Sequence, residues 1–188
     1  SHLRGRTRKH FEQHERFLTE YALDSDDHRD VIEWFSSLPL WLELPGLRVV
    51  HACWSNEHIE CLRAAHGGPN LPTGDALEAL FIKGNPLYDA IEVVLKGPEV
   101  DLPERLWYRD KDGHLREKAR YRWWGEGRNV LRERAVFIPG SLDSEGRPHP
   151  GFDDTPVGDE APAPYTDETP VVIGHYWLNG TLDVRSDR

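Results

Sequence analysis

The stretch Leu40-Trp41-Leu42-Glu43-Leu44-Pro45-Gly46-Leu47-Arg48-Val49-Val50-His51-Ala52 decides how this chain is read. Leu40, Leu42 and Leu44 alternate with Trp41 and Glu43, the period of a strand with two unlike faces. Pro45-Gly46 then turns the chain, and Leu47, Val49 and Val50 carry a second apolar run that stops at His51, so the segment reads as a β-hairpin. Upstream the period is helical. Residues 26 to 38 place Val31, Ile32, Trp34, Phe35 and Leu38 on one side, with Asp26 or Asp27 available as a cap, and that face is expected to pack on something. Residues 8 to 22 repeat the pattern more loosely with Phe11, Phe17, Leu18 and Tyr21, behind a basic leader of Arg4, Arg6, Arg8 and Lys9.

Downstream of the hairpin, Ser55 can cap a helix through Ile59 and Leu62, and a further helix is expected from about Asp75 to Lys83. The next is the most sharply bounded. Asn85 stands at the cap, Pro86 at the first helical position, Leu87, Ile91, Val94 and Leu95 on the buried side, and Gly97-Pro98 at the stop. Trp107 to Arg109, the turn Asp110 to Gly113 and the run His114 to Trp124 read as a second hairpin, with Arg116, Lys118, Arg120 and Arg122 alternating on one face. Residues 139 to 170 are rich in Pro, Gly, Asp and Glu without periodicity and read as a long, flexible acidic loop. The chain returns to a buried strand at Val171-Val172-Ile173, followed by Gly174-His175-Tyr176-Trp177.

The whole, 1 to 188, is expected to be one domain, because 188 residues suffice for one real core and are short for two. Charged residues make up 30% of the chain, yet seven Trp, six Tyr and six Phe supply the large burial units that a disordered chain lacks. A net charge of -10 argues against binding nucleic acid or an anionic membrane surface, since both repel such a field. A small phosphorylated ligand in a locally basic pocket is still compatible with it. No apolar run approaches the roughly 20 residues needed to cross a bilayer. Without a signal peptide ahead of them, Cys53 and Cys61 are read as buried free thiols of a cytoplasmic protein, with a disulfide between them as the alternative. The absence of Met and the start at Ser1 lead us to expect a piece of a longer chain.

Two histidines stand out because each follows directly on an apolar strand, in Arg48-Val49-Val50-His51-Ala52 and in Val171-Val172-Ile173-Gly174-His175. Ligand sites of open α/β sheets lie outside the carboxyl ends of the strands, where an imidazole is held rigidly yet can be reached. There it can bind a metal or move a proton. Alternatively, such a histidine simply ends a strand and hydrogen-bonds a loop. Two imidazoles do not fill a metal's coordination sphere, so further donors have to come from elsewhere.

The blocks Val49-Val50-His51-Ala52-Cys53-Trp54 and Val172-Ile173-Gly174-His175-Tyr176-Trp177 resemble the two later metal-ligand blocks of calcineurin-like metallophosphoesterases. The similarity is to the bacterial branch related to diadenosine tetraphosphatases and serine/threonine phosphatases. Leu95 to Glu99, Arg109 to Gly113 and Arg120 to Trp124 resemble the insert between those blocks, so the likeness runs from about Leu3 to Asn179. It implies an α/β fold, a partial metallophosphoesterase domain in which a two-layer β-sheet is flanked by helices, with a helical and β-hairpin insert over 53 to 139 and the acidic loop over 140 to 170. It also implies that His51 and His175 bind the same one of two divalent metal ions, manganese first, with iron and zinc as alternatives. The activity implied is hydrolysis of a phosphate ester or nucleotide-type phosphoanhydride. Lys96, Arg109, Lys111, Arg120 and Arg122 are then candidates for the substrate's phosphate, with Asn56 a further contact, and Trp54, Trp123 and Trp124 for stacking on a base. The bland reading of the basic residues is a solvated, salt-bridged hairpin face.

The family's opening motifs, Asp-x-His, Gly-Asp-x-x-Asp-Arg-Gly and Gly-Asn-His-Glu or -Asp, are not in this sequence. Gly74-Asp75 and Gly84-Asn85-Pro86 are read as helix starts, and His66-Gly67-Gly68 follows a helix where the family's His-Gly-Gly follows a strand. No catalytic residue is therefore assigned within these 188 residues. The enzyme reading requires the missing ligands from the parent chain or a companion fragment, and unpaired sheet edges make a homo-oligomer or such a companion the expected partner. The competing readings are a non-catalytic binding module that keeps the later half of the fold and, last, a mononuclear zinc hydrolase using His51, His175 and a loop carboxylate.

Overall fold

The computed structural model describes residues 7–110, 112–125, 127–158 and 163–176. The basic leader's Arg4 and Arg6, the candidate Lys111 and Trp177 lie outside the described residues. The elements are α1 (Arg8–Glu20), α2 (Asp26–Ser37), β1 (Trp41–Leu44), β2 (Leu47–Val50), α3 (Asn56–His66), α4 (Gly74–Ala79), α5 (Pro86–Lys96), β3 (Glu99–Asp101), β4 (Tyr108–Arg109), β5 (Leu115–Arg116), β6 (Lys118–Arg120), α6 (Leu131–Arg134) and β7 (Val171–Val172). The chain is thus mixed α/β, with helices and small sheets. It divides into two compact units, residues 1–43 with 56–91 and residues 44–55 with 92–188. No described helix is long and apolar enough to cross a membrane.

In the first unit, α1 and α2 begin at hydroxyl caps. The Thr7 and Ser25 side chains accept from the backbone N–H groups of His10 and His28, so Ser25, ahead of the two aspartates, holds the start of α2. Phe17 touches Tyr21, His28 and Phe35 at ring-centroid distances of 5.1, 5.9 and 6.2 Å. The expected burial of the α2 face is not found. That helix has no buried residue, and Ile32, Trp34, Phe35 and Leu38 are all exposed. Hydrophobic periodicity specifies a face without specifying what covers it. Trp41, Ile59, Leu62 and Leu80 are buried. The Arg63 guanidinium lies 5.8 Å from the Trp41 ring and pairs with Glu43 at 2.7 Å. The helix expected from Asp75 to Lys83 is shorter, ending at Ala79, where Leu80 to Gly84 turn the chain into the α5 cap.

The Asn85 side chain accepts from the Leu87 N–H at 2.9 Å, and the Gly97 N–H closes on Val93 C=O at 2.8 Å, so α5 starts and stops where the sequence places it. Its last turn belongs to the second unit. There the Pro45-Gly46 turn feeds β2, and β7 lies parallel to β2 with Arg48 opposite Val171 and Val49 opposite Val172. The burial expected of this strand is not found: Val171 and Ile173 are half-buried and Val172 is exposed, because β7 lies at the edge of its sheet. A parallel pair cannot be closed by a short turn, and 120 residues separate the two strands.

The second hairpin is only half as expected. β4 pairs with β5 across the Asp110 turn, but after Glu117 the chain changes partner and β6 pairs antiparallel with β3. Glu99 faces Arg120 and Asp101 faces Lys118, each at 2.9 Å, while Val100 and Ala119 between them are buried. The basic alternation is therefore one side of a cross-strand charge ladder. Arg116 is taken as well, by Asp110 at 2.6 Å. Residues 139–158 hold few regular elements, yet Ser141, His149, Phe152 and Val157 are buried, and isolated bridges join Leu142 to Arg109 and Val130 to Pro156.

Two turns in this unit are built alike. The Asp110 carboxylate accepts from the Asp112 and His114 N–H groups through one oxygen and from Arg116 through the other; Asp143 does the same with Glu145, Arg147 and the Arg147 side chain. This is the local bonding that makes Asp a turn former. Desolvation pushes the Asp110 carboxyl up, but the Arg116 pair and the two N–H groups outweigh it and bring it to about 2. An Asp with a folded pKa below the unfolded value of about 3.9 contributes stability above about pH 4 and loses it as pH falls through the folded value. The Asp110 carboxyl carbon, followed by NMR, is expected to titrate near pH 2, and Arg116→Ala is expected to move that midpoint upward.

Candidate metal centre

Everything in this site belongs to the second unit. β2 ends at the buried Val50, and the exposed His51 follows at its carboxyl end. The residues beyond it are fixed through their main chain: Ala52 and Cys53 N–H donate to Val94 C=O at 3.1 and 3.3 Å, and the Trp123 side-chain Nε1–H donates to Ala52 C=O at 3.1 Å. At the end of β7 the N–H groups of Gly174 and His175 both donate to the single carbonyl of His51, at 3.1 and 2.9 Å. The strand ends, 124 residues apart in sequence, are thus locked side by side.

That lock brings His175 Nδ1 to 3.2 Å from His51 Nε2, with the rings 5.0 Å apart and inclined at 65°. Without a metal, one nitrogen donates to the other in an N–H···N bond. The same separation suits a shared cation. Nitrogen ligands at about 2.0–2.1 Å from a metal are roughly 2.9 Å apart at an octahedral angle and about 3.4 Å apart at a tetrahedral one. The separation of the two imidazole nitrogens falls between these values. His175 is held below the ordinary imidazole range by its partial burial and then by electrostatic repulsion, first from Arg120, among the basic side chains around it. A neutral imidazole is the form that offers a lone pair.

Of the candidate phosphate contacts, Lys96 and Arg120 are the two whose charge His175 feels. Lys96 pairs with Glu92 at 2.6 Å, and Arg120 pairs with Glu99 and donates to Gly97 C=O at 3.2 Å. Arg109 folds back on its own turn, donating to Gly113 C=O at 3.1 Å. Arg122 is exposed just past β6, its N–H on Arg134 C=O, and Asn56 opens α3 in the other unit. Trp54 and Trp123 are buried; the Arg48 guanidinium stacks 4.8 Å from the Trp54 ring and pairs with Asp167. Both cysteines are free, Cys53 buried and Cys61 half-buried, and burial pushes the Cys53 thiol far above its ordinary range.

Two features escaped the sequence reading. Tyr176 packs its ring on Trp124 at 4.7 Å and on His175 at 5.6 Å, with its hydroxyl buried against Gly97. The signal for that contact was Gly97-Pro98, which marks a positive φ at a helix end, but nothing in the sequence says what lies over it. The second is Asp110, Asp112 and His114, whose ligand atoms all lie within 4.8 Å, the one such group of three among the described residues. Its Asp110 is already saturated by the turn. No protein-family profile, curated protein or solved structure matches the chain.

The Trp123 indole, 2% exposed, fills its site and satisfies the Ala52 carbonyl beside His51. Trp123→Phe leaves that carbonyl without its donor, for which a loss of about 1–3 kcal/mol is expected. Urea unfolding should show a lower midpoint with an unchanged slope.

Proposed function

We propose that this chain is the later part of a calcineurin-like metallophosphoesterase domain that hydrolyses a phosphate ester or nucleotide-type phosphoanhydride in the cytoplasm. The observation that supports the reading is the imidazole pair, two nitrogens 3.2 Å apart at neighbouring carboxyl ends of parallel strands. In this reading His51 and His175 hold one cation of a dinuclear centre, with manganese preferred and iron or zinc as alternatives. Two divalent ions supply polarisation of the phosphoryl oxygens and activation of a water for in-line attack.

This chain's own residues position and neutralise. The His51 carbonyl, by taking two N–H groups, sets the register that brings the imidazoles together. Lys96 and Arg120 neutralise the substrate's phosphoryl charge. Both are engaged by carboxylates now, but the pairs are partly exposed, with Lys96 at 43% and Arg120 at 31%. Ion pairs of this kind are worth about 0–1 kcal/mol, so a phosphate displaces them at little cost. The remaining metal ligands, carboxylates among them, come from further residues of the parent protein or from a companion chain. A second reading draws on the same gap: no third His, Cys, Asp or Glu joins the pair among the described residues, as suits a non-catalytic module that keeps the later half of the fold.

Metal content by mass spectrometry after manganese loading and exhaustive dialysis separates the two, measured on the parent protein or on this chain with its companion. The enzyme reading expects about two equivalents, and a loss of about tenfold or more in affinity for either His51→Ala or His175→Ala. Content near zero overturns it in favour of the binding module.

A further inference from the structure

The lock between the strand ends fixes the backbone of His175 and leaves its ring free to rotate. The nitrogen facing His51 is Nδ1, the one nearer the main chain, so a modest rotation of the ring carries it out of reach. Something has to hold the plane. The Tyr176 ring stands edge to face with His175 at 85° and 5.6 Å, and it also meets Trp124 at 64° and 4.7 Å. Trp124 in turn meets Trp123 at 87°, and Trp123 is pinned by its bond to the carbonyl next to His51. The far end of the tyrosine is confined too. Gly97 has φ of 77°, and a Cβ built there would lie 1.9 Å from the Tyr176 oxygen and 2.9 Å from Cζ. Only a glycine leaves room for the ring.

The hydroxyl that fills this space makes no hydrogen bond of ordinary geometry among the described residues, and the Trp123 indole is the polar group that acts on it. What bears on the imidazole is the tyrosine ring, which meets both His175 and Trp124. We infer that Tyr176 is the positioning residue of the imidazole pair, a ring wedged between the Gly97 backbone and Trp124 that holds the His175 plane toward His51. The inference rests on the reading of that pair as a cation site.

Copper(II), the divalent ion that a given nitrogen site binds most tightly, is the probe, and the copper counted is that lost in His51→Ala. Tyr176→Phe keeps the ring and is expected to hold affinity within about twofold. Tyr176→Leu removes it and is expected to weaken binding by about tenfold or more, the range for groups that orient ligands. Should Tyr176→Leu fail to fold, Gly97→Ala drives the wedge out by its Cβ and is expected to show the same loss, partly recovered by adding Tyr176→Phe. Unchanged affinity in Tyr176→Leu or Gly97→Ala overturns the inference, as does a loss in Tyr176→Phe, which would make the hydroxyl itself a ligand.

A readout without metal separates this inference from the cation reading. In the metal-free protein, nuclear Overhauser contacts between the His51 and His175 rings are expected in the wild type and Tyr176→Phe and are expected to vanish in Tyr176→Leu. If the wild type binds no copper yet the contacts follow that pattern, the cation reading fails and the positioning role stands. Contacts that persist in Tyr176→Leu overturn it.

Discussion

One carbonyl oxygen, that of His51, accepts the N–H groups of both Gly174 and His175, and the architecture of the second unit follows from it. Parallel pairing of β2 and β7 is a contact of long sequence separation, costly in chain entropy until it is made. Locking its last rung decides which residues of two distant segments become neighbours, and a slip of one residue would turn His175 to the other face. The buried residues behind it, Val50, Ala52, Cys53 and Val94, supply the apolar surface that offsets the entropy of closure. An exposed pair of polar rings is in this sense a product of the core beneath it.

Charge does its work in this unit mostly at short range. The acidic excess of the chain is real, but the cations are not left to answer it at large. Lys118 and Arg120 meet Asp101 and Glu99 across a strand, Arg116 and Arg147 close on the aspartates of their own turns, and Arg128 joins Glu133 and Asp154. Each such pair adds little stability at the surface. Together they specify register, because shifting β6 by one residue against β3 would bring the buried Ala119 opposite a carboxylate.

Some of this was legible in the sequence. The bounds of α5 were, since Asn85-Pro86 and Gly97-Pro98 act through local backbone chemistry that needs no partner. So was the position of His51 and His175 at strand ends. Their meeting was not, because periodicity identifies a strand and says nothing of the register between two strands 120 residues apart. The change of partner at Glu117 was equally hidden: Lys118-Ala119-Arg120 alternates in the same way whichever strand it faces, and Glu99-Val100-Asp101 becomes its complement only when the two are side by side. The Tyr176 wedge was invisible for a third reason. A glycine at a helix end is already explained by the turn, so the second demand on it, room for a ring, leaves no separate trace.

The bare face of α2 has a consequence in time. A helix of 12 residues with none of them buried draws its persistence from the Ser25 cap, the Arg29–Asp26 pair and the ring contacts of His28 and Phe35 with Phe17, and isolated helices of that length are marginal in water. Its amide protons therefore exchange with solvent through brief local openings that leave the core intact, whereas those of β2 and of the last turn of α5 wait for a far larger excursion. The segment between Ser25 and Leu38 therefore keeps a faster clock than the strand at the centre of the second unit.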